Sequence, residues 1–354
     1  MKQKVLLLVI SSSFFFQGFS QENSQAFAIT GQLTNNINWT DIRTIDMATG
    51  NIKLTLFENG KTKFSFVDAD TKQTVNQFSL ITHPDNFQQN NLSTTSDKII
   101  IKNPSPTSFM SAAVAYDKSH NKLFFASMYT GRLMWLDLGN NNSTPSFYTI
   151  QQPLLNEIDS KDDALNITRM TIGADGNGYA LSNDGNHLIK FTTGNKVVIT
   201  DMGSLIDDDT NKGISVHDQS GSWGGDVVAD AFGKLYLFGA GRSVFVIDPQ
   251  TRVATYKGSI SGLSVTFSVN GAAAIDDNNV IISSANTFEG FYKVDINKLT
   301  AEKINTQGTV YNASDLASGN LLHLQEKISG LGESQLADIA VIGNRFISVY
   351  PNPV

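Results

Sequence analysis

The sequence predicts an all-β protein, a β-propeller of six four-stranded blades closed by pairing of its N- and C-terminal strands. Three observations support this fold. Four internal segments share one pattern, their aspartates recur about every 50 residues as blades do, and each chain end resembles part of a blade. Seven blades are the alternative number, and a β-sandwich with irregular hairpins is the alternative architecture.

Each repeat has a strand of small apolar residues, an Asp, a Gly- or Asn-containing turn, an apolar strand, a polar loop and a further apolar strand. Turns such as Asp175-Gly176 supply the positive φ of tight hairpins, so neighbouring strands are antiparallel. Small residues suit a crowded innermost strand, whereas middle strands are apolar because adjacent blades cover both faces. The repeats are Ala112–Leu138, Arg169–Phe191, Asp226–Thr251 and Gly271–Asp295.

The chain ends predict closure of the ring. Ile42–Phe57 matches Val244–Tyr256 of the third repeat and so resembles two outer strands without inner ones. Tyr311–Leu324 resembles two inner strands without outer ones. Joining the two makes one composite blade and hides the strand edges that each part alone exposes. Residues from about Lys63 to Lys102 must then form one further, degenerate blade, which gives six.

The first residues have the layout of a secretory signal peptide. Met1–Ser20 begins with two lysines, continues with the apolar run Val5–Ile10 and ends in small residues before a cut at Gln21. A membrane anchor needs about 18 unbroken apolar residues, and Ser11–Ser13 interrupts the run. We therefore predict export through the inner membrane, with no transmembrane segment.

Composition excludes several classes of function. A net charge of −7 without a basic patch argues against a nucleic-acid partner. The chain has no cysteine, so a disulfide scaffold, a thiol nucleophile and a lipoprotein anchor are excluded. No Gly-x-Ser-x-Gly elbow, Walker loop or His-Glu-x-x-His motif occurs. The sequence thus carries no recognised catalytic motif, and we predict no catalytic residues.

Propeller sites cluster at one mouth of the channel, where loops enter the innermost strands and where the second and third strands join. An aromatic residue among amides and carboxylates there resembles a glycan- or peptide-binding mouth. The alternative is that Trp223-Gly224-Gly225 caps a blade and the polar residues make turns. The candidate ligand-binding residues are Tyr129, Arg169, Asp184, Trp223, Asp226, Asn286, Glu289 and Asn312, with Arg132 beside Tyr129.

One acidic loop has the spacing of a calcium site. Asp207, Asp209 and Asn211 place side-chain oxygens at alternate positions. Lys212, however, occupies the sixth position, where calcium loops need glycine for their sharp turn. We interpret the segment as a solvated acidic loop, with calcium as the alternative. No other metal or cofactor is predicted.

The C-terminal residues Phe346–Val354 read FISVYPNPV and follow a polar linker, residues 325–345. This ending resembles the start of the type A sorting domain of type IX secretion substrates in the Bacteroidota. The resemblance implies the type IX machinery as a partner and a secreted or cell-surface location. That domain has several more strands, so we expect a truncated start. The domains are then 1–20 signal peptide, 21–324 propeller, 325–345 linker and 346–354 sorting segment.

The body also resembles secreted propellers of the same bacteria, for which the resemblance implies no activity. The likeness is carried by Asn35–Gly50, Ala174–Gly194, Ser220–Phe238 and Ser284–Asp295.

Two functional hypotheses follow. The first is an exported, non-enzymatic binding protein whose propeller mouth holds a glycan or a protein. The second is a propeller hydrolase or lyase that uses channel carboxylates such as Asp226 and Glu289, with or without calcium.

Overall fold

The chain forms a β-propeller, as the repeat pattern predicts. The computed structural model describes residues 24–33, 37–80, 92–95, 98–108, 110–128, 130–139, 144–155 and 163–330. The predicted signal peptide and sorting segment lie outside the described residues, and so does Tyr129. Within the described ranges, no helix is long and apolar enough to cross a membrane.

Among the described residues, five four-stranded antiparallel blades form the ring, and two of them carry an extra outer strand. The innermost strand of each blade contacts the innermost strands of the next and the previous blade. The strands of each blade follow from the innermost outward. Blade I contains Ser111–Asp117, Lys122–Ser127, Arg132–Asp137 and Ser146–Pro153, and blade II contains Ile167–Ile172, Gly178–Ser182, Leu188–Phe191 and Ile199–Asp201. Blade III contains Asp226–Ala229, Leu235–Phe238, Ser243–Ile247 and Val253–Ser259; blade IV contains Gly271–Ala274, Asn279–Ser283, Tyr292–Asp295 and Thr300–Lys303; and blade V contains Ala313–Ala317, Gln25–Gly31, Trp39–Asp46 and Ile52–Phe57.

Blade V confirms that the ring closes through its two ends, but the division of strands differs from the prediction. The C-terminal part contributes only the innermost strand, and the N-terminal part contributes three. The unpredicted strand Gln25–Gly31 pairs with Ala313–Ala317 on one side and with Trp39–Asp46 on the other. The prediction of two C-terminal inner strands is therefore wrong, because Gln25–Gly31 occupies the second position.

The predicted count of six blades is also wrong. The described part of residues 63–102 supplies no innermost strand, and the innermost strands of blades V and I touch each other directly. Ser65–Asp68 instead adds to the outer edge of blade I, parallel to Ser146–Pro153. The rest forms a separate small sheet, called the insert sheet here. Its strands, in spatial order, are Gln77–Leu80, Lys98–Lys102 and Leu92–Thr95.

Few other elements are described. Ile206–Asp207 adds in parallel to the outer edge of blade III. Short 3₁₀ turns cover Asp163–Leu165 and Asp209–Asn211. The α-helix Leu324–Ser329 begins at the predicted end of the propeller and continues into the predicted linker.

Blades pack face to face through apolar side chains of their middle strands. In the contact between blades I and II, Phe124, Ala180 and Phe191 are buried in one cluster. A second cluster joins blades III and IV and includes Phe238 and Ile282. The loops that enter the innermost strands and those that join second to third strands lie together on one side, which we call the upper face.

Candidate functional site

The innermost strands turn one backbone edge toward the central channel, where it has no neighbouring strand to pair with. Two carboxyl side chains supply acceptors there. Asp226 accepts hydrogen bonds from the backbone N–H of Val227 and, in the next blade, of Ala272, both at 2.6 Å. Asp315 accepts from Leu316 at 2.7 Å and from Val114 of blade I. Each of the two carboxyls thus links its own blade to the next one through hydrogen bonds to backbone N–H groups.

Asp226 and Asp315 also hydrogen-bond to each other, and both are 0% exposed. Burial raises the pKa of Asp226 from 3.8 to about 7. Burial first, and then the neighbouring charge of Asp226, raise the pKa of Asp315 well above its usual range. Two like charges in contact inside a protein are unfavourable, so the pair retains protons that ordinary carboxyls release.

Arg169 lies at the same level of the channel and clamps blade II to blade III. Its Nε donates to Gly224 O at 2.7 Å, and its Nη2 donates to Ser222 O at 2.6 Å. Its remaining hydrogen bonds go to the carbonyls of Ser182 and Asn183, both at 3.1 Å. Burial lowers the pKa of Arg169 to about 10, opposed by the charges of Asp226 and Asp184. Its guanidinium is therefore fully committed to backbone carbonyls.

The channel is closed at this level because Arg169, Asp226 and Asp315 are all fully buried. Toward the lower face, the small side chains of Ala115, Ala273 and Ala317 help to line a cavity of only ≈ 10 Å³. That volume holds about one water molecule. The channel therefore offers no room for a substrate beside the two carboxyls.

Asn312 lies just above Asp315 at the upper end of the innermost strand of blade V. Its Nδ2 donates to Ala285 O at 2.6 Å. Its Oδ1 is buried without a hydrogen-bond partner among the described residues, and so is Ser111 Oγ at the matching end of blade I. Buried oxygens of this kind are usually satisfied by an ordered water or a ligand hydroxyl.

Asp184 and Trp223 lie near the contact between blades II and III. Asp184 accepts from Ser182 Oγ at 2.6 Å and from the backbone N–H of Asn186 at 2.9 Å, which is a turn-forming role. Trp223 is half-buried, and its Nε1 donates to His217 O at 2.9 Å. Both side chains therefore use their polar atoms within the fold.

The glycines after Trp223 allow the backbone to pass close to the second strand of blade III. Gly225 has φ +82°, and a Cβ there would come within 1.8 Å of Phe238 O. We expect Gly225→Ala to lower the free energy of unfolding by about 3 kcal/mol, from left-handed strain plus a backbone clash. Gly176→Ala is the matched control, because Gly176 has φ +75° and open space around it. Urea denaturation of both variants tests this, and equal losses would contradict the clash.

Asn286 and Glu289 lie on the upper loop of blade IV. Asn286 is exposed, and its Nδ2 donates to Ser268 Oγ at 3.4 Å. Glu289 accepts from Ser264 Oγ and Thr266 Oγ1, both at 2.6 Å, and these hydrogen bonds lower its pKa. Glu289 lies on this loop, whereas Asp226 is sealed in the channel, so they form no shared pocket.

The candidate calcium loop uses most of its oxygens internally. Asp207 accepts from Ser215 Oγ at 2.5 Å and from Val216 N at 2.8 Å. Asn211 Oδ1 accepts from Tyr256 N at 2.7 Å. Asp209 lies in the first turn of the short 3₁₀ helix. Asp207 therefore ties the loop to its own later residues, and Asn211 ties it to the fourth strand of blade III.

A groove on the upper face lies between the rim of blade I and the chain that leads into the insert sheet. Its volume is ≈ 550 Å³. Arg132, at the start of a third strand, lies on one side, and Phe78 of the insert sheet lies 5.1 Å below the guanidinium. One further lining residue, Val75, is apolar. The remaining lining residues are polar: Asp68, Thr71, Gln73, Thr74, Asn76, Gln77, Thr149 and Gln151.

Comparison with blade III shows that Arg132 is unusual. Arg242 occupies the equivalent position, after a glycine at the start of the third strand, and donates to the carbonyls of Ser264, Val265 and Phe267. Within the described chain, Arg132 Nη1 donates one long hydrogen bond, 3.4 Å, to Ile150 O. Burial lowers the pKa of Arg132, opposed by the charge of Asp68. Most of its donors therefore have no acceptor among the described residues.

Asp68 shapes the opposite wall of the groove. Its carboxylate accepts from the backbone N–H of Asp70 at 3.0 Å and of Thr71 at 2.9 Å, and from Gln151 Nε2. Burial raises the pKa of Asp68, but these hydrogen bonds outweigh that effect and lower it. Asp68 and Arg132 form no ion pair within 4.0 Å among the described contacts.

No protein-family description matches the sequence, and no curated protein matches it. Solved structures share its general architecture. A protein of unknown function from Bacteroides caccae is 11% identical, with 83% of this chain and 98% of that chain covered and a TM-score of 0.34. A functionally unknown protein from Desulfotomaculum acetoxidans is 14% identical, covering 82% and 89%, at TM-score 0.40. A streptogramin B lyase is 14% identical, covering 80% and 88%, at TM-score 0.36. Likenesses at this level carry no functional argument.

Proposed function

We propose that this protein is an exported, non-enzymatic binding protein that holds a polar ligand, a glycan or a protein segment, on its upper face. The groove is the observation that carries the proposal. Its ≈ 550 Å³ lies within the usual range of ligand sites, roughly 300–1,000 Å³. Its lining offers many hydrogen-bonding groups around the guanidinium of Arg132, as a ligand rich in hydroxyl or amide groups requires.

The channel chemistry supports a binding role better than a hydrolytic one. A general acid needs contact with the bond that it cleaves. The raised pKa of Asp226 would suit such an acid, but Asp226 and Asp315 are fully buried and engaged with backbone N–H groups. Their arrangement instead fits a role in joining the blades.

Export is part of the proposal and rests on the sequence. The cationic, apolar and small-residue order of Met1–Ser20 supports passage through the inner membrane. The likeness of Phe346–Val354 to a sorting segment supports delivery to the cell surface or medium by the type IX machinery. A ligand encountered there is more readily a surface or extracellular polymer than a cytoplasmic metabolite.

A glycan array probed with the mature protein, residues 21–354, tests the proposal. We expect binding to a restricted set of saccharides, and we expect Asn76→Trp to abolish it by filling the groove. Asn76 is exposed on the groove wall. Asn278→Trp is the matched control, because Asn278 is equally exposed but lies in the lower hairpin of blade IV. Binding that survives Asn76→Trp would refute the groove as the site.

A further inference from the structure

We propose that the groove selects an acidic saccharide, whose carboxylate pairs with the guanidinium of Arg132 while its hydroxyls contact the amides around it. This inference rests on the proposed function and adds the chemical class of its ligand. It depends on two features of the groove: a guanidinium with few acceptors among the described residues, and a rim of amides.

The cation is the most selective feature. A guanidinium presents five N–H donors in a planar fork that matches the two oxygens of a carboxylate. Arg132 is half-buried, and within the described part of the chain its side chain donates a single long hydrogen bond, to Ile150 O at 3.4 Å. A partly dehydrated cation with open donors is stabilised by an anion in the pocket. In blade III, backbone carbonyls accept the hydrogen bonds of Arg242. In blade I, the carboxylate of the ligand would accept those of Arg132.

The neighbours of Arg132 restrict the anion further. Phe78 holds the underside of the guanidinium 5.1 Å from its ring centre, so the planar fork is oriented by stacking. Asp68 carries a negative charge in the same groove and disfavours a compact dianion such as phosphate. A single carboxylate on a larger polar body is the better fit, because it reaches Arg132 while the body extends away from Asp68.

The rest of the lining matches hydroxyl groups. The side chains of Gln73, Asn76 and Gln77 are exposed at the rim and offer both donors and acceptors. Amides of this kind, next to a charged group, form the usual polar complement of a sugar ring. A uronic-acid residue within an oligosaccharide satisfies the cation and the amides together.

Calorimetric titration of the mature protein with a galactotriose in which one galactose is replaced by galacturonate, and with neutral galactotriose, tests this inference. We expect the acidic sugar to bind at least about 10-fold more tightly, because charge-assisted hydrogen bonds add affinity. We expect Arg132→Gln to remove most of this preference and Arg132→Lys to retain part of it, since lysine keeps the charge but lacks the fork. Affinity for the acidic sugar should also fall as salt is raised.

Arg242→Gln is the matched control. It removes an arginine from the equivalent position of blade III, outside the groove, and should leave the preference unchanged. Equal affinity for the two sugars, or an acidic preference that persists in Arg132→Gln, would overturn the inference and leave the proposed function intact. Absence of any saccharide binding by the unmodified protein on the array would instead refute the proposed function itself.

Discussion

A chain expressed as residues 61–354 should fail to fold and should aggregate, whereas a chain lacking residues 77–102 should remain folded and soluble. The first deletion removes three of the four strands of blade V. It leaves the edge of Ala313–Ala317 unpaired and uncovers the faces of blades I and IV. Exposed strand edges and apolar faces promote association between chains.

The second deletion is the matched control, because it removes the insert sheet and leaves every strand of the five blades in place. Asn103 N donates to Asn76 O at 2.7 Å, so the two ends can be joined directly. The loss of Phe78 and Ile101 from the core should lower stability, but the five blades remain. Size-exclusion chromatography and circular dichroism provide the measurements. A soluble, folded 61–354 chain, or unfolding on removal of 77–102, would contradict the five-bladed ring.

The four central repeats could be predicted because each carries its own local signals. A run such as Ala272–Ala274 indicates a crowded innermost strand, and the Asp and Gly residues after it indicate the hairpin. Segment 63–102 has strand-like composition but no such small-residue run, and its described part supplies no innermost strand. Gln25–Gly31 was missed because its inner partner, Ala313–Ala317, lies almost 300 residues away in the chain.

The candidate residues were predicted in part, and for a physical reason. Arg169 and Asp226 break the apolar pattern of innermost strands, which identifies them as channel residues. Asp315 gives the same signal, a carboxyl within Ala313–Ala317, and could have been found in this way. The groove could not be predicted, because Arg132 and Phe78 come together only through packing of the insert sheet against blade I.

The paired channel carboxyls should make stability fall as pH rises from about 4 to about 7. The pKa of Asp226 is raised in the folded protein from 3.8 to about 7. Folding therefore favours the protonated carboxyl, and that contribution is fully present below the unfolded pKa and lost as pH approaches the folded one. A shift of about three pKa units corresponds to about 4 kcal/mol. Other carboxyls oppose this trend, so the contribution is best isolated by comparing variants.

Asp315→Asn isolates the contribution of the Asp226–Asp315 pair to stability, because the asparagine amide can still donate to Asp226 but cannot become charged. At pH 5 we expect the variant to be less stable than the unmodified protein by about 1–2 kcal/mol, since one backbone N–H loses its acceptor. As pH rises to 8, the difference should shrink or reverse, because the variant carries no second buried charge next to Asp226. Urea denaturation at several pH values measures both trends.

Asp117→Asn provides a control with the opposite sign. Burial raises the pKa of Asp117, but hydrogen bonds from Ser119 and His120 outweigh it and lower the value. Its contribution to stability is therefore present above the unfolded pKa and is lost as pH falls. The cost of Asp117→Asn should grow from acidic to neutral pH, while the cost of Asp315→Asn should decline over the same range. Parallel trends for the two variants would show that Asp226 and Asp315 do not share protons in the channel.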